Sequence, residues 1–309
     1  MILILGVTAS GKGRLAFELA RQIDAEIISI DSMKVYKRMD IGTAKPPMHA
    51  REKVKYHLID VVEPGESFNV AAFLDQANAA VEQIKARGKS VIAVGGTALY
   101  IKALLYGLFE GPGSDRHIRH QLTARAETEG LEKLHRELMQ IDPAAAERIH
   151  RNDARRIIRA LEVHQLTGRP ISSFQKQWLD QTDDADKWTI VGLRRDRADA
   201  SGRINKRVGR MINEGLVEEV RSLLAEDTPL SEQARCAIGY AEIIDHIAGN
   251  LTLEEATEKI KINTRRLAKS QRTWFKTFRS VNWLDIEADE PPERTLERTV
   301  NLLSKGRTD

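Results

Sequence analysis

The segment Gly6-Val7-Thr8-Ala9-Ser10-Gly11-Lys12-Gly13 combines the residue types that can hold a chain of phosphates. Glycines let backbone amides converge on phosphate oxygens, Lys12 supplies a point charge, and a helix starting there adds the positive end of its dipole. The spacing G-x-x-x-x-G-K is that of a Walker A loop, which needs a strand before it and a helix after it. Both are legible. Ile2–Leu5 is a short apolar run, and Leu15, Ala16, Leu19, Ala20 and Ile23 recur at helical spacing. One position departs from the pattern. Where Ser or Thr follows the lysine and its hydroxyl ligates magnesium, this chain has Gly13. The amide cradle survives that change, but one metal ligand is lost. Magnesium is therefore expected as cofactor with its protein ligands unassigned.

A second residue type is missing. Enzymes that hydrolyse nucleoside triphosphates hold magnesium with an aspartate at the end of a hydrophobic strand. The run Val91–Val94 ends instead in Gly95-Gly96-Thr97. Asp60 closes another run, Tyr56–Val62, but His57-Leu58-Ile59-Asp60 is short for such a strand. The loop is thus expected to grip a diphosphate without hydrolysing a nucleotide. Asp31-Ser32 sits where a further apolar run, Ile27–Ile30, ends. In open α/β sheets that edge is where ligands bind, so Asp31 belongs near the phosphate loop. A carboxylate there can ligate magnesium, accept a proton, or merely close an Asx turn, and spacing alone does not separate these.

The elements that position these residues alternate. Strand-like runs are separated by helical patterns, one over Ala71–Arg87 that stops at Gly88, which implies parallel strands with right-handed crossovers. The linker Glu110-Gly111-Pro112-Gly113-Ser114 breaks the alternation. Residues 115–180 read as helices only, including Ala154–Thr167, and Trp188–Leu193 and Val281–Ile286 restore strand character. The fold class expected is α/β: a P-loop-type parallel sheet core flanked by helices, with an all-helical insertion domain. The core's first part is residues 1–113, the insertion 114–186, and the completion of the core, mostly helical with basic C-terminal helices, 187–309.

Composition narrows the partner. Apolar residues make up 41% of the chain, too many for disorder, and no run approaches a membrane helix. A single cysteine, Cys236, excludes a disulfide framework and suits a reducing, cytoplasmic compartment. The net charge is only +3, yet three segments are strongly basic. Residues 148–176 carry Arg148, Arg151, Arg155, Arg156, Arg159, Arg169 and Lys176 against Asp153 and Glu162. Residues 194–210 hold seven basic side chains against two acids, and residues 259–279 hold eight against none, interleaved with Trp274, Phe275 and Phe278. That polarity fits a polyanionic partner.

Together with the loop, several further motifs carry a family resemblance. They are Asp31-Ser32, Met39-Asp40-Ile41-Gly42-Thr43-Ala44-Lys45-Pro46, His57-Leu58-Ile59-Asp60, Gly95-Gly96-Thr97 with Tyr100, and Asn152-Asp153 before Arg156, Arg159 and Glu162. Later come Ile238-Gly239-Tyr240 and Arg265-Arg266-Leu267-Ala268-Lys269 leading to Gln271-Arg272-Thr273-Trp274. Their order and spacing resemble the tRNA dimethylallyltransferases, the isopentenyltransferases that modify the adenosine 3′ of the anticodon, from Ile2 to about Asp285.

The resemblance implies transfer of a dimethylallyl group from dimethylallyl diphosphate to the exocyclic N6 of adenine, with release of diphosphate. It implies that Gly6 and Thr8, Ala9, Ser10, Gly11, Lys12 and Gly13 bind the diphosphate, with Asp31 as base and Lys12 and Thr97 as further catalytic residues. It places tRNA contacts at Asp31, Ser32, Met33 and Lys34, at Thr97 and Arg119, at Arg155, Arg156, Ile157, Ile158 and Arg159, and at Arg235, Cys236, Ala237, Ile238, Gly239 and Tyr240. The partners implied are the tRNA anticodon stem-loop and dimethylallyl diphosphate, with no membrane and a monomeric chain. A glutamine that the family carries before Ile-Gly-Tyr is replaced here, near Cys236. Three other readings stay open at this point: prenylation of free adenine nucleotides, a small-molecule P-loop kinase, and a non-catalytic RNA-binding module.

Overall fold

A computed structural model describes residues 1–108, 111–175 and 187–305. Its centre is a six-stranded sheet formed by β1 (Ile2–Gly6), β2 (Ala25–Ile30), β3 (Tyr56–His57), β4 (Ser90–Gly95), β5 (Thr189–Arg195) and β6 (Val281–Ile286). The order is β3-β2-β4-β1-β5-β6 and every neighbouring pair is parallel. The runs that read as strands are apolar on both faces because helices cover both. Ile4, Ile27, Ile92, Val94 and Val191 pack with Leu15, Ala16, Leu19 and Ala20 of α1 (Lys12–Gln22) into one core. α2 (Met48–Lys53) and α3 (Val70–Ala86) follow β2 and β3, and α4 (Ala98–Tyr106) follows β4.

One strand is much shorter than its sequence suggests. The apolar run Tyr56–Val62 yields only the two-residue β3, so Asp60 does not end a strand. Leu58 and Asp60 take positive φ, 61° and 57°, which breaks the extended backbone. The chain turns there to donate from Asp60 N to Lys34 O and from Val61 N to Val35 O. It thereby pairs with the segment that follows β2.

The described residues fall into two compact units, residues 1–105 with 184–309, and residues 106–183. The second comprises α5 (Arg116–Glu129), α6 (Leu131–Ile141), α7 (Pro143–Arg148), α8 (Ala154–Thr167) and α9 (Ile171–Gln175). It has its own core of Leu122, Leu134, Leu138, Ile157, Leu161 and Val163. Asp115, Asp142 and Asp153 cap α5, α7 and α8, and α8 ends where Gly168 turns left-handed at φ 68°. The unit begins earlier than residue 114 because Arg159 of α8 donates to the carbonyls of Pro112 and Gly113, tying the linker to the helices. Lys176 of the first basic segment and residues 176–186 lie outside the described residues. Beyond β5 the first unit continues with α10 (Arg197–Asn213), α11 (Leu216–Leu224), α12 (Glu232–Arg235), α13 (Tyr240–Ile247), α14 (Leu253–Phe275) and, after β6, α15 (Pro292–Lys305). Among the described residues no helix is long and apolar enough to cross a membrane.

Candidate functional site

The phosphate loop leaves β1 and enters α1 through two left-handed residues, Ala9 at φ 62° and Gly11 at φ 98°. Such turns gather successive amides on one side. The carbonyls are held on the other side by cations. Lys12 Nζ donates to Val7 O at 3.2 Å, Arg203 Nε to Ala9 O at 3.1 Å and Arg195 Nε to Ser10 O at 3.0 Å. Arg195 is fixed in turn by Asp199 and by the carbonyl of Glu287. Thr8 N donates to Gln271 and Ser10 N to Val7 O. The amides of Ala9, Gly11, Lys12 and Gly13 have no acceptor among the described residues, and they form the cradle.

Around that cradle positive charge outweighs negative. Arg207 Nη1 donates to the Thr8 hydroxyl at 3.4 Å. Lys12 is pushed down to about 7 by burial first, then by Arg207 and Lys34, with Asp31 pulling the other way. Lys34 is lowered by burial, against the pull of Asp31, and further by Arg207, Arg51 and Lys45. Burial also lowers Arg207, helped by Arg210 and Arg203 and opposed by Asp31. Cations crowded until they resist protonation are a receptor for an anion. Arg195, Arg203 and Arg207 entered the sequence reading only as charge in a basic segment. The spacing of Arg203, Arg207 and Arg210, which aligns them on one helix face, is the signal that could have singled them out.

Asp31 directly follows β2. Its Oδ1 accepts from Met33 N at 2.9 Å and Lys34 N at 3.2 Å, the Asx turn its position allows. Its Oδ2 has no hydrogen bond among the described residues. The Thr97 hydroxyl accepts from Ser32 N at 3.2 Å, so it pins the segment after β2 to the tip of β4 instead of capping α4. The strand tips approach so closely that a Cβ on Gly95 would lie 2.0 Å from Ile30 O. The structure therefore brings together Lys12, Asp31, Ser32, Lys34 and Thr97 beside the loop.

The Met39–Pro46 motif supports this edge. The Glu219 carboxylate of α11 accepts from the amides of Asp40, Ile41 and Gly42 and from the Tyr240 hydroxyl at 2.6 Å. Tyr240 is fully buried and burial, with Glu219 beside it, pushes its phenol up. A Cβ at Gly42 would sit 2.4 Å from its ring. Lys45 bridges Tyr36 O, Asp40 and Asp60, and Arg51 holds the other oxygen of Asp60. Asp60 is thus spent on structure.

The expected tRNA residues divide in the same way. Tyr240 and Ala237 are buried, Gly239 turns left-handed, Ile238 is half-buried, and Arg235 and Cys236 are exposed. In the helical unit Ile157 is buried in its core. Arg119 and Arg159 both pair with Glu162, a fully buried carboxylate that also accepts from Asp115 N. Ile158 is half-buried, while Arg155 and Arg156 project into solvent. Arg119 and Arg159 thus staple the unit, and Arg155 and Arg156 are the exposed arginines of that stretch.

For magnesium the protein offers little. Gly13 has no hydroxyl, the Thr8 hydroxyl faces Arg207, and among the described residues no group of three or more His, Cys, Asp or Glu gathers to hold a metal. Asp31 lies beside the loop and Asp199 is paired with Arg195, so these residues do not build a metal centre of their own.

A parallel sheet with an amide cradle, half-buried cations and an open carboxylate at its carboxyl edge is the arrangement of a P-loop-type group-transfer enzyme. Residues 34–278 match the sequence profile of the IPP transferases, and the chain belongs to that family. A tRNA dimethylallyltransferase from Geobacter metallireducens is 48% identical over 285 residues, covering 92% of each chain. Another, from Geobacter sulfurreducens, is 44% identical over 94% of this chain and 93% of its own. The crystal structure of the tRNA isopentenylpyrophosphate transferase from Bacillus halodurans superposes with a TM-score of 0.71 at 39% identity, covering 98% of this chain and 95% of that one. A eukaryotic dimethylallyltransferase acting on tRNA gives 0.80 at 27% identity, covering 99% and 79%.

Proposed function

We infer that this chain transfers the dimethylallyl group of dimethylallyl diphosphate to N6 of the adenosine 3′ of the anticodon in tRNA. The observation that carries the reading is Asp31, its Oδ2 without a hydrogen bond among the described residues, beside a cradle lined by Lys12, Lys34 and Arg207. An adenine amine is a weak nucleophile because its lone pair is delocalised into the ring. As the N6–C bond forms and the allylic C–O bond breaks, Asp31 takes the N6 proton. Diphosphate leaves with both bonding electrons. Its growing charge is met by the amides of Ala9, Gly11, Lys12 and Gly13 and by Lys12 and Arg207, already in place before the reaction.

Magnesium, where bound, would add positive charge at the diphosphate, while this chain's own contribution there is the amide cradle, Lys12 and Arg207. Arg155 and Arg156 grip tRNA phosphates, and Arg235 and Cys236 lie in a second stretch that faces the RNA. The target base leaves its stack to reach Asp31. A monomer in the cytoplasm, where unmodified tRNA is made, suits this activity.

The test is to incubate the protein with an unmodified anticodon stem-loop and labelled dimethylallyl diphosphate, and to analyse the nucleosides. Label on N6 of one adenosine supports the reading. Label on free AMP alone, or turnover of ATP with no prenylated RNA, overturns it.

A further inference from the structure

Gln271 lies near the end of α14, only 8% exposed, and both ends of its carboxamide are committed to backbone. Oε1 accepts from Thr8 N at 2.9 Å, and Nε2 donates to Gly96 O at 2.9 Å. A carboxamide can accept and donate at once from a single rigid plane. Its closeness to β4 is built in, since a Cβ on Gly96 would stand 2.5 Å from Nε2. From Gly96 the connection runs on through Thr97, whose hydroxyl accepts from Ser32 N, to the neighbouring Asp31. One side chain from a distant helix therefore joins the loop that holds the leaving group to the tip of β4, which Thr97 ties to the segment that carries the base.

We propose that Gln271 is a positioning residue that locks the phosphate loop to the tip of β4, and so sets where the departing diphosphate stands relative to Asp31. It touches neither substrate. Its use of Thr8 N also takes that amide out of the cradle. Displacement of reacting groups by about 1 Å can cost about 100-fold in rate, which is the scale a lost lock would reach. The proposal rests on the assignment of the loop to diphosphate and of Asp31 to the proton.

Gln271→Met keeps the length and removes both hydrogen bonds without adding charge. The measurements are the single-turnover rate at saturating substrates, the affinity for inorganic pyrophosphate by calorimetry, the affinity for the stem-loop, and the melting temperature. The rate is expected to fall about 10- to 100-fold. Pyrophosphate binding should weaken several-fold, while stem-loop affinity and the folded fraction at the assay temperature stay put. Because Gln271 and Thr97 act in series, Thr97→Val with Gln271→Met should lose less than the product of the single losses. A wild-type rate in Gln271→Met, multiplicative losses in the double variant, or a rate loss matched by a loss of folded protein would each overturn the proposal. If the wild-type protein prenylates no RNA, the transfer reading fails instead. Pyrophosphate affinity then still decides the lock, and unchanged affinity in Gln271→Met would sink it.

Discussion

The strand β2 begins and ends beside a carboxylate, and the two are treated in opposite ways. Glu26, near its start, has a side chain 4% exposed and is saturated: Arg87 donates to both oxygens and His57 lies 2.7 Å from Oε2. Burial alone would push Glu26 up, but hydrogen bonds from Arg87 and His57 outweigh it and bring it down to about 2. Asp31, just past the other end, keeps one oxygen unbonded amid cations that are themselves under-paired. A saturated buried charge fixes a structure, whereas an open one is available to a reaction. The same division recurs in the helical unit, where Glu162 is saturated by Arg119, Arg159 and Asp115 N.

The largest effect expected of this contrast is at Asp31. Asp31→Asn should lower the transfer rate by about 1,000-fold, within the range of a lost general base. Tm should hold and stem-loop affinity should stay within a few-fold, because Asn can still accept from Met33 N and Lys34 N. A variant that transfers at nearly the wild-type rate would remove the proton-accepting role and with it the contrast.

Arg87→Ala should give the reverse pattern. Stripping this partner from a buried carboxylate should lower the urea midpoint, while turnover per folded molecule is retained. The pH dependence has a definite sign. Glu26 titrates lower in the folded chain than the usual 4.5, so its contribution is fully present above that pH and is lost as pH falls towards about 2. Arg87→Ala should flatten that acid limb. An unchanged midpoint at neutral pH would show that the start of β2 does not depend on the pair.

How much of this was legible in the sequence follows from how local each signal is. The loop, β6 and α8 were readable because short-range pattern decides them: glycine spacing, a bounded apolar run, a 14-residue helix between Asp153 and Gly168. β3 was not, because its end is set by pairing with residues after β2, 26 positions away, and not by its own apolar run. Arg119 and Arg159 are RNA contacts only by what the resemblance implies, and the buried Glu162 with which both pair becomes visible only once the helices pack. Gln271 stood inside a motif, but its two partners lie 263 and 175 residues away.

The cations offer a sharper test of the open end. Lys12 sits at about 7 in the ligand-free chain, and a bound anion raises it again, so binding above that pH must take up a proton. Between pH 7.5 and 9 pyrophosphate affinity should fall by up to about ten-fold per unit. Calorimetry in two buffers of different ionisation enthalpy counts the proton directly. Lys12→Arg, which stays charged, should bind with little pH dependence in that range. A pH-independent wild type would mean that Lys12 is already fully charged without ligand.

The smallest effect is expected at Gly13, where the open end can be changed by addition. A Cβ built there meets nothing within 4 Å and its φ is not in the left-handed region, so a larger residue fits without strain. Gly13→Thr places a hydroxyl in the first turn of α1 beside the cradle. If the magnesium carried by the diphosphate lies against that turn, the hydroxyl adds a ligand, and the magnesium concentration for half-maximal pyrophosphate binding should drop a few-fold. Binding measured with magnesium chelated should be unaffected, since the amides, Lys12 and Arg207 are unchanged. That pair of titrations separates metal-assisted from cation-assisted grip. A curve identical to wild type would place the metal away from residue 13 and leave the protein's own cations as the main counter-charge to the leaving group.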